Sequence, residues 1–216
     1  WQQQPVVDGV PHRAQARVRQ GDGVVDDKDL AALGPYLGQA IVDSSLLAHW
    51  ALDETTGSSL TTEQDLARIR RLEKYSLVYL VKQGETVQQY ILPVRGKGLW
   101  STMFAYVAVD ADLNRIRGVA FYDHGETPGL GGEIENSRWQ QLWQGKRIYA
   151  ESGEVGITVV KGKAATDGVQ ATYEIDGLSG ASLTTQGVDR LLHFWFGDDG
   201  FKPFFKQLRQ EDTSNG

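Results

Sequence analysis

The most informative stretch of this chain lies near its C-terminus and reads Asp176-Gly177-Leu178-Ser179-Gly180-Ala181-Ser182-Leu183-Thr184. Gly180 and Ala181 are small, so a phosphate group could approach the backbone closely. The first N–H groups of a helix lack partners within it and favour an anion. The residues that follow predict such a helix, because apolar side chains recur along one face at Val188, Leu191, Leu192, Trp195 and Phe196.

Two interpretations of this stretch are open on physical grounds. The first is a phosphate site at the start of a helix, which the small residues and the backbone N–H groups favour. The second is ordinary helix capping, since Ser, Thr and Asp are the usual capping residues. The full pattern D-x-x-[ST]-G-A-[ST]-x-T favours the phosphate site over a cap alone.

The composition is that of an ordinary globular protein and narrows the possible functions. The chain has 216 residues, of which 40% are hydrophobic and 23% charged, enough for one substantial core. A formal net charge of −6 predicts no nucleic-acid partner. The absence of cysteine excludes disulfides, thiolate metal sites and a thioether-linked flavin. The four histidines lie far apart in sequence, so we expect no metal site.

The sequence predicts no membrane span within it. No run of about 18 apolar residues is present, which is the length that a bilayer-spanning helix needs. The sequence begins at Trp1 without a methionine. We therefore expect a processed or trimmed chain that has lost a preceding segment, with an N-terminal anchor as one candidate.

The first third of the sequence predicts a lobe of short elements. Residues 1–29 show little periodicity and predict an irregular segment, whereas residues 29–50 predict short helices broken by glycine and proline. Thr61 and Gln64 have the spacing of a capping box, which predicts a helix bearing Leu66, Ile69 and Leu72. We predict an irregular or helical segment over 1–60, a main domain over 61–210 and a flexible tail over 211–216.

The middle of the sequence predicts antiparallel strands. Alternating apolar runs at 75–81, 88–94, 103–109 and 116–122 predict four strands, with a hairpin at Gly84. The turn at 110–114 lacks the glycine and distal glutamate of a calcium loop, so we predict an Asx-type hairpin turn. A helix over 137–144, a strand over 156–160 and a loop over 162–170 complete an α+β fold, a mostly antiparallel sheet flanked by helices.

The motif and several other segments resemble the family of FMN-binding domains, and within it the C subunits of Na+-translocating NADH:quinone oxidoreductases. The resemblance covers residues 64–79, 92–100, 125–132, 160–162 and the closing stretch 194–205. It implies that FMN is esterified through its phosphate to the last threonine of the motif, Thr184. Ser182 stands where threonine is the commoner residue. The first 60 residues match poorly, so nothing is carried over there.

The resemblance also implies further contacts to the cofactor. The motif residues Ser179, Gly180, Ala181, Ser182 and Leu183 would surround the phosphate, and Asp176 would be recognised by a flavin transferase that uses FAD and Mg2+. The loop with Glu126, Thr127, Gly129 and Leu130 would line the flavin, although Pro128-Gly129 also predicts a plain tight turn. Trp100 could stack on the ring or fill the core. Lys161 could pair with the phosphate or simply be exposed.

The function implied is an electron relay, in which the cofactor carries the redox chemistry and the protein orients and tunes it. The resemblance implies other subunits of a membrane complex as partners, a single N-terminal anchor, and an extracytoplasmic, periplasmic domain. Two alternatives stay open: an Rnf-like G subunit or another flavin-relay domain, and a flavin-free extracytoplasmic binding module whose threonine motif only caps a helix.

Overall fold

The computed structural model describes residues 12–19, 58–72, 76–83 and 86–214. The strands in these ranges are β1 His12–Arg19, β2 Ser58–Ser59, β3 Arg71–Leu72, β4 Ser76–Gln83, β5 Thr86–Lys97, β6 Thr102–Asp110, β7 Ile116–Asp123, β8 Thr158–Val159 and β9 Glu174–Ile175. The helices are α1 Ser137–Gln141, α2 Ser182–Trp195 and α3 Lys202–Ser214, with short 3-10 turns at Gly131–Glu135 and Gln170–Thr172.

The centre of the fold is an antiparallel sheet of five strands in the order β1-β4-β5-β6-β7. Strands β4 to β7 are the four that the alternating apolar runs predict, so that prediction is confirmed. Strands β8 and β9 form a separate parallel pair, which brings the chain from the 158–159 region to the start of the Asp176 stretch. The result is the predicted α+β fold.

Helix α2 packs across one face of the sheet, and this packing fixes where its N-terminus lies. Its apolar stripe is buried, and the Trp195 indole N–H donates to the Arg95 carbonyl in β5 at 2.7 Å. The helix approaches the sheet so closely that a Cβ on Gly187 would lie 2.6 Å from the carbonyl oxygen of Lys97. Glycine at this position permits the approach. The start of α2 is thereby held beside the turn that joins β5 to β6.

Two parts of the chain differ from the sequence predictions at its ends. Residues 12–19, predicted to be irregular, form β1 and pair with β4. Small or apolar residues alternate there with Arg and Gln, which is the period of a strand, but the high polarity obscures it. Helix α3 extends as far as Ser214, within the range 211–216 for which a flexible tail is predicted. The short helices predicted over 29–50 and the hairpin glycine Gly84 lie outside the described residues.

The helix predicted from Thr61 does not form. The capping box itself is present, since the Thr61 N–H donates to the Gln64 side chain at 3.1 Å and the Gln64 N–H donates to the Thr61 hydroxyl at 3.4 Å. Arg68 and Arg70, however, have φ angles of 54° and 65°, in the left-handed region that ends a helix. The Asp65 carboxylate stabilises this turn by accepting the N–H groups of residues 69 and 70.

The predictions for the turn at 110–114 and for the segments that follow it agree with the structure. Helix α1 begins at Ser137 as predicted, although it ends at Gln141, and the loop before the Asp176 stretch is present. Asp112 accepts the N–H groups of Asn114 and Arg115 at 2.8 Å each, which confirms the Asx-type turn. Among the described residues, no helix has the length and apolar character that a bilayer span requires. Three tryptophans are buried in the core: Trp139, Trp143 and Trp195.

Candidate functional site

A buried carboxylate organises the region where α2 begins. Glu126 is 4% exposed, and its Oε1 accepts the backbone N–H groups of Trp100 at 2.9 Å and Ser101 at 3.2 Å. Its Oε2 accepts the N–H of Leu99 at 3.1 Å and the hydroxyl of Thr184 at 2.5 Å. Each carboxylate oxygen therefore has two donors, and the side chain joins the β5–β6 turn to the first turn of α2.

The charge of Glu126 is favoured by these donors. Burial alone would raise the pKa of the carboxyl, but the hydrogen bonds from Thr184 and from the three backbone N–H groups outweigh it and lower the pKa below its ordinary value. Glycine makes room for the carboxylate: a Cβ on Gly98 would lie 2.6 Å from Oε1, and one on Gly131 would lie 2.9 Å from Oε2. The ionised side chain is thus enclosed by backbone.

Thr184 lies on the inner side of the helix start. It is 1% exposed, and its hydroxyl proton is directed to the ionised Glu126. The backbone of Gly131 closes over it, because a Cβ on that glycine would collide with the Thr184 hydroxyl oxygen. The structure therefore brings together Thr184 and the 126–131 loop, two parts of the chain that the sequence predicts to share one site.

An apolar surface surrounds this contact. It consists of side chains that are unusually exposed for their type, Leu99 at 41%, Trp100 at 64%, Leu130 at 44% and Leu183 at 53%. The backbone of positions 99 and 100 binds Glu126, position 183 precedes Thr184, and position 130 precedes the glycine that covers it. Trp100 was predicted either to stack on a flavin or to fill the core, and its exposure excludes the core.

The loop of this site contains the tight turn that the sequence predicts. Gly129 has a φ angle of 72°, which glycine adopts without strain. The Leu130 N–H donates to the Thr127 carbonyl at 3.1 Å and closes the turn. The turn and a flavin contact do not exclude each other, because the turn is what exposes Leu130.

A cavity of about 470 Å³ lies against the outer side of the same helix start. Ser179, Gly180 and Ser182 line it, together with the two lysines Lys161 and Lys163. Thr184 does not line this cavity, whereas its neighbour at position 185 does. The hydroxyls of the motif are therefore divided between two sides of the helix, a division that follows from helical geometry and that the linear motif does not display.

The N-terminus of α2 has no side-chain cap. Its N-cap residue is Ala181, and no side chain of the described residues accepts a hydrogen bond from the first turn. The interpretation of the motif as an ordinary side-chain cap is therefore wrong. The first backbone N–H groups have no acceptor within the helix and are available to an anion.

Asp176 does not line the cavity itself but binds Lys163, which does. Its carboxylate accepts the Lys163 ammonium at 2.5 Å and the Ala164 N–H at 2.9 Å. Burial opposes its ionisation, but the Lys163 hydrogen bond and the Ala164 N–H outweigh burial and lower its pKa. The indole N–H of Trp139 fixes the Asp176 carbonyl at 2.8 Å. Lys163 was missed from the sequence, although the Lys161-Gly162-Lys163 spacing places two cations in one loop.

A helix N-terminus without a cap, two lysines and an adjacent apolar surface suit a molecule with an anionic end and a flat apolar ring. The sequence agrees with this chemistry, because residues 98–197 match the FMN-binding domain family. The matched range contains the Glu126 loop, the cavity residues and all of α2. The class of protein is therefore an FMN-binding domain.

Comparison with similar proteins indicates which family of FMN-binding domains this chain resembles. The C subunit of the Na(+)-translocating NADH-quinone reductase from Pseudomonas aeruginosa is 47% identical over 163 residues, 76% of this chain and 62% of that protein. The protein of the same name from Vibrio parahaemolyticus is 45% identical over 183 residues, 82% of this chain and 69% of that protein. The crystal structure of Shewanella oneidensis NqrC has a TM-score of 0.67 and 36% identity, and the match covers 74% of this chain and 71% of that one.

This chain belongs to the family of C subunits of the Na+-translocating NADH-quinone reductase. The matched region covers 62% of the Pseudomonas aeruginosa protein and 61% of one of the same name from Yersinia pestis, so the chain spans about three-fifths of the length of these relatives.

Proposed function

We propose that this chain carries FMN as a phosphoester on Thr184 and relays electrons within a Na+-translocating NADH-quinone reductase. The observation that carries the proposal is the hydrogen bond from the Thr184 hydroxyl to the ionised Glu126, at a helix start surrounded by exposed apolar side chains. FMN would supply the redox chemistry, while the protein fixes its position and surroundings.

Glu126 makes the Thr184 hydroxyl suitable as the ester oxygen. A hydroxyl is a weak nucleophile until an adjacent base accepts its proton, and the Glu126 carboxylate is already that acceptor at 2.5 Å. During attachment, Thr184 Oγ1 forms the bond to phosphorus as the diphosphate bond of FAD breaks. AMP is the leaving group, and the hydroxyl proton goes to Glu126. A separate flavin transferase would perform this step.

Attachment requires the loop above Thr184 to move. The hydroxyl is buried beneath Glu126 and Gly131, and a phosphate on Oγ1 would need the space that they occupy. Glycines at positions 125, 129, 131 and 132 give this loop the backbone freedom to shift. A phosphate on Thr184 would be favoured by the backbone N–H groups of the first turn of α2, which suit an anion.

The apolar surface provides a place for the ring. Trp100, Leu130 and Leu183 lie around the Thr184 position, and aromatic and aliphatic side chains of this kind pack against flat ring systems. When the loop shifts, the backbone N–H groups that bind Glu126 and the Glu126 side chain itself become available to polar atoms of the flavin. This gives Glu126 and the 127–130 turn their proposed role in lining the cofactor.

The outer cavity is proposed to serve the attachment step. Ser179, Gly180 and Ser182 line it beside the same helix start, and Lys161 and Lys163 give it positive charge. This chemistry suits the diphosphate of FAD as it approaches the helix. Asp176 would contribute to recognition by the transferase by holding Lys163 and the 163–164 backbone in place beside this cavity.

The partners and location are inferred from the relatives. Their names describe one subunit of a sodium-translocating reductase, so this chain would work with other subunits of a membrane complex. An N-terminal anchor and a periplasmic position for the domain form part of the same proposal. The names favour this assignment over an Rnf-like G subunit.

Intact mass after co-expression with a flavin transferase tests the attachment. The wild-type chain should gain the mass of one FMN less one water, and the gain should survive denaturation. Thr184→Val should abolish it and Thr184→Ser should retain it. Ser182→Ala is the matched comparison: it removes another hydroxyl of the first turn, one that lines the outer cavity, and the full mass gain should still be reached because the ester oxygen of Thr184 is retained.

Two results would overturn the proposal in different ways. Loss of the mass gain in Ser182→Ala together with its retention in Thr184→Val would move the ester to the exposed serine of the outer cavity. No mass gain in the wild-type chain, with an active transferase shown on a second substrate protein, would favour a flavin-free binding module.

A further inference from the structure

A second cavity, of about 430 Å³, lies away from the Thr184 site. Three arginines line it: Arg68 and Arg70 from the turn that follows Asp65, and Arg190 from α2. Arg190 is six residues beyond Thr184 on the same helix, which corresponds to about 9 Å along the axis. The two cavities share no lining residue.

The arginines are not neutralised by the residues that line the cavity. Among the described residues that line the cavity, Asp65 is the one carboxylate, and its two oxygens already accept the N–H groups of residues 69 and 70. The Nε of Arg190 is buried and has no hydrogen-bond partner among the described residues. Asp189 lies nearby, but it faces the first cavity and accepts the Thr158 hydroxyl at 2.7 Å.

The surroundings of Arg190 disfavour the charged form of its side chain. Burial, followed by the nearby charge of Arg68, lowers the pKa of Arg190, and the charge of Asp189 offsets only part of the effect. Like charges are thus held together around one cavity with one acidic side chain in its lining.

The backbone holds two of these arginines in an unfavourable conformation. Arg68 and Arg70 have positive φ angles, which cost about 1 kcal/mol or more for residues other than glycine. The turn is nevertheless tied to its surroundings, because the Lys97 N–H donates to the Ala67 carbonyl at 2.8 Å and the Leu60 N–H donates to the Arg70 carbonyl at 2.9 Å. The guanidinium groups are therefore presented by a fixed turn, not by a loose loop.

We propose that Arg68, Arg70 and Arg190 form a second anion site, which binds a phosphoryl group. Three cations against one lining carboxylate leave two positive charges, which match the charge of about −1.5 to −2 on a phosphate monoester. Guanidinium groups bind phosphate oxygens in pairs of parallel hydrogen bonds, and the hydroxyls of Thr61 and Thr62 belong to the same lining residues. The cavity exceeds one phosphate ion in size, so the phosphoryl group can belong to a larger molecule.

Inorganic phosphate is the first probe. In calorimetry at constant ionic strength, phosphate should bind the 216-residue chain, and Arg190→Gln and Arg68→Gln should each weaken the arginine-dependent binding by about tenfold, the size of one charge-assisted hydrogen bond. Arg138→Gln, which removes an exposed arginine of α1 that lines neither cavity, should leave it unchanged. Equal binding by all variants, or no binding, would overturn the proposal.

Thermal stability separates an anion site from a structural role. If the arginines repel one another, Arg68→Gln should melt at the same or a higher temperature than wild type without phosphate, and should lose the phosphate-induced rise. A lower melting temperature for Arg68→Gln together with an undiminished phosphate effect would overturn the proposal. This readout does not involve the flavin, so the result is independent of the fate of Thr184.

Vesicles identify the source of the phosphoryl group. Arginine-dependent sedimentation with phosphatidic acid vesicles, whose headgroup is a phosphate monoester, but not with phosphatidylcholine vesicles, would identify a lipid headgroup. Binding of free phosphate without such sedimentation would identify a soluble phosphate compound, and either result supports the site. Arginine-dependent binding of polyglutamate in the absence of any phosphate binding would overturn the phosphoryl assignment in favour of protein carboxylates.

Discussion

The hydroxyl of Thr184 donates to Oε2 of Glu126 at 2.5 Å, and both residues are almost fully buried although 58 residues separate them in the chain. This contact joins the loop before the first 3-10 turn to the first turn of α2. It stabilises the flavin-free chain and, in the proposed function, also supplies the base that takes the proton of the anchor hydroxyl.

The Thr184 hydroxyl should contribute to folding stability. Thr184→Val keeps the shape of the side chain but removes a buried donor to a charged acceptor, so the free energy of unfolding should fall by about 1.5–3 kcal/mol. Ser182→Ala changes an exposed residue and should alter it by less than about 0.5 kcal/mol. Urea denaturation of the flavin-free chain measures both. Equal stability of Thr184→Val and wild type would contradict the role assigned to this contact.

The ionised form of Glu126 should make stability depend on pH at the acid end. Its pKa in the folded chain lies below its ordinary value of 4.5, so this stabilisation is present above pH 4.5 and is lost as pH falls through the lower folded value. Glu126→Gln should lose about 2–3 kcal/mol at pH 7, and its difference from wild type should shrink at acid pH. Glu151→Gln, at an exposed turn, is the control. A difference that stays constant with pH would rule out ionised Glu126 as the cause.

Asp176 should influence flavin attachment through Lys163. Asp176→Asn removes the charge that holds Lys163 and weakens the contact to the Ala164 N–H, so the fraction of flavinylated chain should fall severalfold. Lys163→Met should reduce it in the same direction, and the double variant should be less impaired than the two single effects multiplied. Mass spectrometry after timed co-expression gives the fractions. Full labelling of Lys163→Met beside poor labelling of Asp176→Asn would indicate that the transferase contacts Asp176 directly.

Trp100 should affect the cofactor more than the fold. Because its side chain is 64% exposed, Trp100→Ala should change the free energy of unfolding by less than about 0.5 kcal/mol. In the flavinylated protein, loss of a stacked indole should raise the flavin fluorescence and shift its absorption bands. Val169→Ala changes a residue that is equally exposed but lies outside the apolar surface, and should leave the spectrum unchanged. An unaltered spectrum in Trp100→Ala would exclude stacking.

The periodicity of apolar residues in the sequence predicted the main helix and the central strands of the fold. The apolar stripe after the motif predicted α2, and alternation predicted β4 to β7, because a regular period reflects which face is buried. The capping box at Thr61 predicted a helix wrongly, since the side-chain pair forms but positive φ angles at Arg68 and Arg70 end the turn. Strand β1 was missed because its polar residues obscure the alternation.

The candidate site, like the fold, could be predicted from the sequence only in part. The motif identified the helix start, and the resemblance paired it with the Glu126 loop. The sequence could not show that Thr184 is turned inward while Ser182 lines an outer cavity, because that depends on how the loop closes over the helix. Lys163 was missed for a similar reason, since its partner Asp176 is 13 residues away and meets it only after β8 and β9 pair.

The turn between β5 and β6 is attached to Glu126 through main-chain N–H groups, not through the side chains of Leu99 and Trp100. The side chains at these two positions can therefore be changed without removing the hydrogen bonds that hold the turn to Glu126. Positions 99 and 100 are suited to saturation mutagenesis, because new side chains there leave the main-chain N–H groups that bind Glu126 in place. The domain thus offers a platform on which the redox potential of a flavin could be tuned.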